Sequence, residues 1–325
     1  MDCNELQLVA GHRILLEVKE PISSPAWASQ NKEQVKTLLR KHGAVLIRGL
    51  RFYGTRQFGQ FLEELFEHTL AEYVYRSTPR TKLGSNVYTA TEYHPGETIP
   101  QHNESSYANA WPMHIGFLCM IPPARGMGGA TPLADSRAVL AGIPPEIVAK
   151  FAEKRLVYVR NYGNIDLPWS EVFQTDDREQ VEAFCASNHI DFEWVGKDGL
   201  RTRQITPATE AHPISGERVW FNQAHLFHLS SLPSEVARDM VSLYRMEELP
   251  RNVYFADGTP IDVDDLNHIR AAYDAVKFHF DWHKDDVVLL DNMLYTHGRQ
   301  PYSGARKVLV GMANMHERKE TVRET

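Results

Sequence analysis

A histidine and a carboxylate two residues apart, followed far downstream by a second histidine, constrain this chain more than any other feature. His102 and Glu104 stand in Gln101-His102-Asn103-Glu104, and His297 ends the run Asp291-Asn292-Met293-Leu294-Tyr295-Thr296-His297, 193 residues after Glu104. Residues i and i+2 of a strand point to one face. His102 and Glu104 can therefore grip one metal from a single strand. His297 can complete the set only if the fold lays a distant strand beside the first. Two imidazoles and one carboxylate form a facial set that suits non-haem Fe(II) and leaves coordination positions open.

Chance alone produces such triplets. With 15 His and 42 Asp plus Glu in 325 residues, random placement gives roughly two His-x-Asp/Glu triplets. The chain has four: His102/Glu104, His189/Asp191, His279/Asp281 and His283/Asp285. The pairs at 279 and 283 lie too close to His297 to sit on a separate strand. Only the pair at 102 precedes a glycine-rich turn, Gly126-Met127-Gly128-Gly129-Ala130-Thr131, and then a long stretch before the distal His.

The length suits one large domain, 1–325, and a hydrophobic share of 42% supplies a sizeable core. A formal charge of −7 argues against wholesale binding to nucleic acid. Cys3, Cys119 and Cys185 are too scattered for a disulfide framework. The start, Met1-Asp2-Cys3-Asn4-Glu5, lacks a basic and then apolar leader. The longest apolar run, Ile115 to Ile121, is too short to span a bilayer. The expectation is a cytoplasmic protein with no membrane partner.

A helix is expected to start near Asn31 and end at Gly43, with Val35, Leu38 and Leu39 on one face, followed by a buried strand Ala44-Val45-Leu46-Ile47. Thr55 is read as the cap of a second helix whose Phe58, Phe61, Leu62, Leu65 and Phe66 form one stripe. Further helices are expected after Pro144-Pro145, Pro233 and Asp264. Asp286 to Asp291 reads as a buried strand. From 306 to 313 the residues alternate: Arg306, Val308, Val310 and Met312 share one face, Lys307, Leu309 and Gly311 the other. Residues 160–215 are irregular and read as an inserted lid or subdomain. The fold class is mainly β with flanking helices (α+β), a distorted jelly roll.

Around the candidate ligands the chain resembles the taurine dioxygenase-like family of Fe(II)/2-oxoglutarate-dependent oxygenases. Within it, the chain is most similar to the members associated with peptide synthetases, including syringomycin-type hydroxylases. The carriers are Ser85 to Tyr93, Gln101 to Tyr107, Gly128 to Arg137, Trp220-Phe221-Asn222-Gln223 and His297 to Lys307. The resemblance implies a double-stranded β-helix of the clavaminate synthase-like kind, Fe(II) held by His102, Glu104 and His297, and 2-oxoglutarate and O2 as co-substrates. It also implies that an Arg on the strand after the distal His, with a hydroxyl after the Gly pair, holds the far carboxylate of 2-oxoglutarate. Arg306 and Thr131 match those places, with Arg299 as the alternative Arg. An Arg fork meets a carboxylate in a way that Lys does not.

Two departures shape the expected substrate. The taurine enzymes place a second Arg four residues after the first, where this chain has Val310, so a small sulfonate is disfavoured. Halogenases of the superfamily lose the metal carboxylate, and Glu104 retains it. The expected reaction is hydroxylation of an unactivated C–H of an amino acid or amino-acid-derived acyl group, with carrier-protein tethering as an option. Antibiotic-type biosynthesis is the expected setting. The alternatives are the same chemistry diverted to desaturation or epoxidation, or a catalytically silent barrel that only binds. Tyr88, Glu92, Arg203 and Asn222 are candidate substrate contacts, with Glu92 open as either a buried acceptor for an α-amino group or an exposed strand Glu. Lys32, Lys36 and Arg40, at i, i+4 and i+8, offer a basic face to a peptidyl carrier protein. His114 is read as a core residue, Asn103 as structural, and His212 and His283 as surface or supporting residues. His225 and His228 lack partners for zinc.

Overall fold

The computed structural model describes residues 6–19, 23–75, 77–163 and 165–318; Cys3 and the start Met1 to Glu5 lie outside them. Its central element is a seven-stranded sheet in the order Leu15–Glu17, Ala44–Arg48, Val287–Asp291, Ala110–Ile121, Lys307–Glu317, Val87–Thr89, Lys82–Gly84. The first pair is parallel and the remaining pairs are antiparallel. Strict alternation divides this sheet between two cores. Leu46, Ile115, Phe117, Val288, Leu290, Val308, Val310 and Met312 face inward. Val45, Ile47, Leu118, Val287, Leu289 and Leu309 face the helices. The period-2 pattern of the last strand is therefore realised as the sequence suggests.

A three-stranded sheet, Ile99–His102, Tyr295–Arg299 and Leu133–Asp135 in that order, lies across the inner core. Leu133, Leu294 and Tyr295 share one buried cluster with Phe117 and Val308 of the larger sheet. These two facing sheets form the distorted double-stranded β-helix. The third unit is a four-stranded sheet, Arg251–Phe255, Leu156–Tyr162, Gly199–Thr206 and Ile190–Val195 in that order, with its own buried cluster. It runs well beyond 160–215, because the flanking strands Leu156–Tyr162 and Arg251–Phe255 pair with each other.

The helices behind the main sheet follow from their stripes. The first spans Ser24–His42 rather than starting at Asn31. Pro25 suits the first turn, where its missing N–H costs nothing, and Trp27 and Ala28 already pack inward. Gly43 ends the helix in the left-handed region at φ 73°. The second, Thr55–Phe66, has Gly54 rather than Thr55 at its cap position. Its Phe58, Phe61, Leu62, Leu65 and Phe66 are buried as a stripe, each worth about 1.5–3 kcal/mol over exposure. The later helices are Pro145–Lys154, Ser234–Leu243 and Val263–Val276, the last capped by Asp262 rather than Asp264. Among the described residues, no helix is long and apolar enough to cross a membrane.

Two glycines explain how the second helix reaches the sheet. Gly116 and Gly311 are register partners on adjacent strands. A Cβ on either would lie 2.5 Å from a methyl of Leu62. The absent side chains form a depression into which Leu62 descends. Gly311→Ala should therefore destabilise the protein by about 1–3 kcal/mol through overpacking, read as a lower denaturant midpoint. Adding Leu62→Ala should recover part of that loss in the double variant. Additive losses from the two substitutions would refute this packing account.

Candidate active site

Antiparallel pairing of Ile99–His102 with Tyr295–Arg299 sets His102 directly opposite His297. Their ring centroids lie 4.4 Å apart. Glu104 joins them: one ligand atom from each of His102, Glu104 and His297 lies within 4.8 Å of the others. This is the one such group of three among the described residues. The triplets at 189, 279 and 283 form none.

Glu104 does not sit on the strand, which ends at His102. The i, i+2 geometry survives because the Asn292 side chain acts as a neighbouring strand would. The Glu104 N–H donates to Asn292 Oδ1 at 2.7 Å, and Asn292 Nδ2 donates to the Glu104 carbonyl at 2.9 Å. Asn292 Nδ2 also reaches the Pro112 carbonyl at 2.8 Å, and the Asn292 carbonyl accepts from Asn103 Nδ2 at 2.6 Å. The chain then turns through Ser105 at φ 57°. Asn103 is a structural brace, since its carbonyl also accepts from Gln223 Nε2. The sequence reading missed Asn292; its place in the Asp-Asn pair before the distal His was the available signal.

The strand before the triad is held as firmly. Gln101 donates through Nε2 to the Pro132 carbonyl and accepts from the Thr296 hydroxyl at 2.6 Å. His225 Nε2 donates to the Gln101 carbonyl at 2.8 Å. Burial pushes His225 down to about 4, so it is a neutral brace. His212 is buried rather than superficial: its Nε2 meets Asp291 Oδ2 at 2.9 Å and its Nδ1 accepts from the Ser215 N–H. His114 stacks on Phe66 at 4.6 Å, as a core histidine does.

The electrostatics prepare the ligands. Burial, followed by the neighbouring His102 and Arg80, holds His297 well below the usual histidine range. Burial also lowers His102. His102 Nδ1 lies 2.9 Å from the Pro100 carbonyl, which makes Nδ1 the protonated nitrogen and leaves the Nε2 lone pair available. For Glu104, burial pushes the carboxyl up, but Arg80 and His102 outweigh it and hold it below the ordinary value. Arg80 Nη2 donates to Glu104 Oε2 at 2.6 Å, with both side chains buried. Two neutral imidazoles and an ionised carboxylate fit the Fe(II) that the family resemblance implies.

A second cluster lies one strand away. Gly128 and Gly129 both take left-handed φ, at 77° and 78°, and a Cβ on Gly128 would meet the Pro301 carbonyl oxygen at 2.1 Å. Only glycine lets this turn lie so close to residues 301 and 302. It delivers Thr131 to Arg306: Arg306 Nε donates to the Gly129 carbonyl at 2.9 Å, and Nη2 to Thr131 Oγ1 at 3.1 Å. Trp282 Nε1 donates to the same hydroxyl oxygen at 3.0 Å. Arg306 has no carboxylate partner among the described residues, and burial lowers its pKa to about 10. Arg299 is committed elsewhere, donating to the carbonyls of Tyr93, His94 and Glu97.

The other candidates are scattered. Tyr88 is buried, and its hydroxyl accepts from the Tyr73 N–H at 3.0 Å. Glu92 is exposed and accepts from the Thr89 hydroxyl at 2.7 Å, so it is no buried counter-charge. Arg203 lies on the insert's sheet, 3.9 Å from Glu193. Asn222 is buried, with its amide spent on the Ala208 carbonyl and the Ala224 N–H. Lys32 and Lys36 both pair with Glu67, which neutralises much of the expected basic face.

Comparison with known proteins agrees with this geometry. The family described as "Taurine catabolism dioxygenase TauD, TfdA family" matches residues 17–313. A dapdiamide synthesis protein, DdaC, of Enterobacter agglomerans is 39% identical over 279 residues, covering 86% of this chain and 84% of that protein. A clavaminate synthase-like protein of Arabidopsis thaliana is 29% identical over 297 residues, at 86% and 84% coverage. Among solved structures, PvcB from Pseudomonas aeruginosa superposes with a TM-score of 0.55 at 16% identity, covering 94% of this chain and 89% of that one. That likeness extends to the fold. His297→Ala should abolish retention of Fe(II) in anaerobic equilibrium dialysis, whereas His189→Ala should leave it intact. Retained metal in the His297 variant would remove the triad.

Proposed function

We propose that this chain, which belongs to the TauD, TfdA family of dioxygenases, hydroxylates an unactivated C–H of an amino acid or amino-acid-derived acyl group in specialised metabolite biosynthesis. The chain is an Fe(II)- and 2-oxoglutarate-dependent oxygenase whose metal triad is His102, Glu104 and His297. When bound, the metal and 2-oxoglutarate supply the activation of O2. The chain's own residues supply the rest. His102 and His297 present neutral lone pairs, Glu104 is held ionised, and Glu104 and His297 are buried.

On this reading Arg306 and Thr131 receive the far carboxylate of 2-oxoglutarate. The observation that carries it is a half-buried guanidinium without a carboxylate partner among the described residues, beside a hydroxyl already filled as an acceptor. Thr131 Oγ1 takes two N–H donors, from Arg306 and Trp282. A hydroxyl has two lone pairs and one proton, so its proton remains to be donated to an anion. Trp282 is thus a positioning residue that keeps Thr131 a donor. Arg306→Ala removes one partner of a buried charged pair, worth on the order of 3–5 kcal/mol. It should weaken 2-oxoglutarate binding more than about a hundredfold by the same arithmetic. Trp282→Phe should cost about 0.5–1.5 kcal/mol. A large effect at Arg299 with none at Arg306 would reverse the assignment.

The substrate reading is supported by the relative named for dapdiamide synthesis and by Val310. Val310 is fully buried in the inner apolar core, where the taurine enzymes carry their second Arg. Retention of Glu104 supports hydroxylation over halogenation. Pairing of Lys32 and Lys36 with Glu67 favours a small-molecule substrate over carrier docking at the first helix. The test offers free and carrier-loaded amino acids with 2-oxoglutarate under air and reads product mass with succinate formation. A gain of one oxygen on a saturated carbon supports the proposal. Loss of two hydrogens would replace it with desaturation, and oxygen gained only by an alkene substrate would replace it with epoxidation. Succinate formation uncoupled from every amino-acid substrate would refute the substrate class.

A further inference from the structure

We propose that Arg80 is a positioning residue for the metal carboxylate: it fixes Glu104 for coordination, which a glutamate on a turn cannot do alone. The inference rests on the metal triad described above. Glutamate has one more rotatable side-chain bond than aspartate, and rotamer freedom must be lost to hold it still. Glu104 also follows the end of its strand, so no strand neighbour restrains its side chain. Asn292 fixes the Glu104 backbone but does not touch the carboxylate.

Arg80 supplies the charged restraint, beside a hydrogen bond from the Tyr73 side chain to the same carboxylate. Its Nη2 donates to Glu104 Oε2 at 2.6 Å, and the two side chains are 2% and 4% exposed. The same oxygen faces His297 Nε2 at 3.7 Å, so the contact orients the carboxylate within the triad. The guanidinium lies over the Tyr73 ring, 4.6 Å from its centroid. That contact uses the flat face of the cation while its edge donates.

Arg80 belongs to an irregular segment that is nevertheless pinned. The Tyr73 N–H donates to the Tyr88 hydroxyl, and the Tyr73 carbonyl accepts from Gln174 Nε2 at 2.7 Å. Tyr107 donates its hydroxyl proton to the Tyr75 carbonyl at 2.8 Å. The Glu92 N–H donates to the Pro79 carbonyl, and the Thr81 N–H to the Thr89 hydroxyl. The guanidinium therefore arrives from a backbone fixed on both sides. This also gives Tyr88, a candidate substrate contact by sequence, a place in the support of Arg80.

A cation beside a metal site repels the metal, so the proposal has an opposed alternative. If Arg80 merely occupied the carboxylate until metal arrived, removing it would tighten metal binding. If it orients Glu104, removing it weakens binding. The experiment measures Fe(II) and Mn(II) affinity anaerobically by titration calorimetry for wild type, Arg80→Gln and Arg80→Lys, with circular dichroism as the fold check. Arg80→Gln is expected to weaken binding by about 10–100-fold, the range for a lost hydrogen-bond partner of a ligating group. Arg80→Lys keeps the buried charge without the planar fork. It is expected to fall between wild type and Arg80→Gln, and it carries the test if the Gln variant fails to fold. Wild-type or tighter affinity in a folded variant overturns the proposal. A wild-type protein that binds neither metal would overturn the triad itself.

Discussion

The register that places His102 opposite His297 is the constraint on which the site depends. It joins a strand near residue 100 to one near residue 297, and the remaining topology serves that pairing. A slip of one residue would send one imidazole to the opposite face of its strand. Several polar contacts resist such a slip. Thr296 donates to Gln101, Gln101 donates to Pro132, and His225 donates to the Gln101 carbonyl. Each is buried, and a buried donor left without its acceptor costs about 1–3 kcal/mol. The register is thus defended by polar groups that cannot be satisfied in the neighbouring alignment.

The same logic organises the charges. Buried carboxylates and guanidinium groups are expensive unless paired, and this protein places them where a partner is needed. Glu104 is paired with Arg80 beside the two imidazoles. Arg306 is half-buried among a carbonyl, a hydroxyl and an aromatic ring. It lacks a protein carboxylate among the described residues, which is the state proposed for a site that takes an anionic co-substrate. Asp286, in contrast, is a settled structural pair: Arg48 reaches it through Nε at 2.9 Å and Nη2 at 2.8 Å and ties two strands of the main sheet. The difference between Asp286 and Arg306 is the difference between a closed pair and an open one.

How much could be read from the sequence follows from how local each signal is. The triad was legible because only one of the four His-x-Asp/Glu triplets precedes the glycine-rich turn and then a long stretch before a distal His. Alternation showed the two faces of the last strand. The stripe at Phe58, Phe61, Leu62, Leu65 and Phe66 declared the second helix. What failed was anything decided by tertiary context. Asn292 carries no pattern beyond a dipeptide, and Trp282 looks like any core aromatic. Arg80 sits in a segment with no period at all. Glu92 could be read either as a buried acceptor or as an exposed Glu, and the sequence does not decide between them; it is exposed, just past the strand Val87–Thr89. The four-stranded sheet reaches outside residues 160–215 because two of its strands are distant in sequence, and pairing of Leu156–Tyr162 with Arg251–Phe255 leaves no local trace.

The four-stranded sheet, with the helices packed on it, also bears on how the site is kept in order. The Arg80 segment is packed against it: Tyr75 lies 5.5 Å from the Phe173 ring and 5.7 Å from the Phe184 ring, and Gln174 holds the Tyr73 carbonyl. Phe173 and Phe184 share one buried cluster with the four-stranded sheet and with Tyr75. The facing sheets set the two imidazoles opposite each other, and Asn292 holds the backbone of the third ligand. The contacts of Tyr73 and Tyr75 hold the segment whose guanidinium meets that ligand's carboxylate. A displacement of this sheet would therefore reach Glu104 through Arg80, and it would also reach the His102 strand, because Tyr158 holds the Gln223 N–H, Gln223 holds the Asn103 carbonyl and His225 holds the Gln101 carbonyl. The orientation of the Glu104 carboxylate and the register of the two imidazoles thus both lean on how the four-stranded sheet packs.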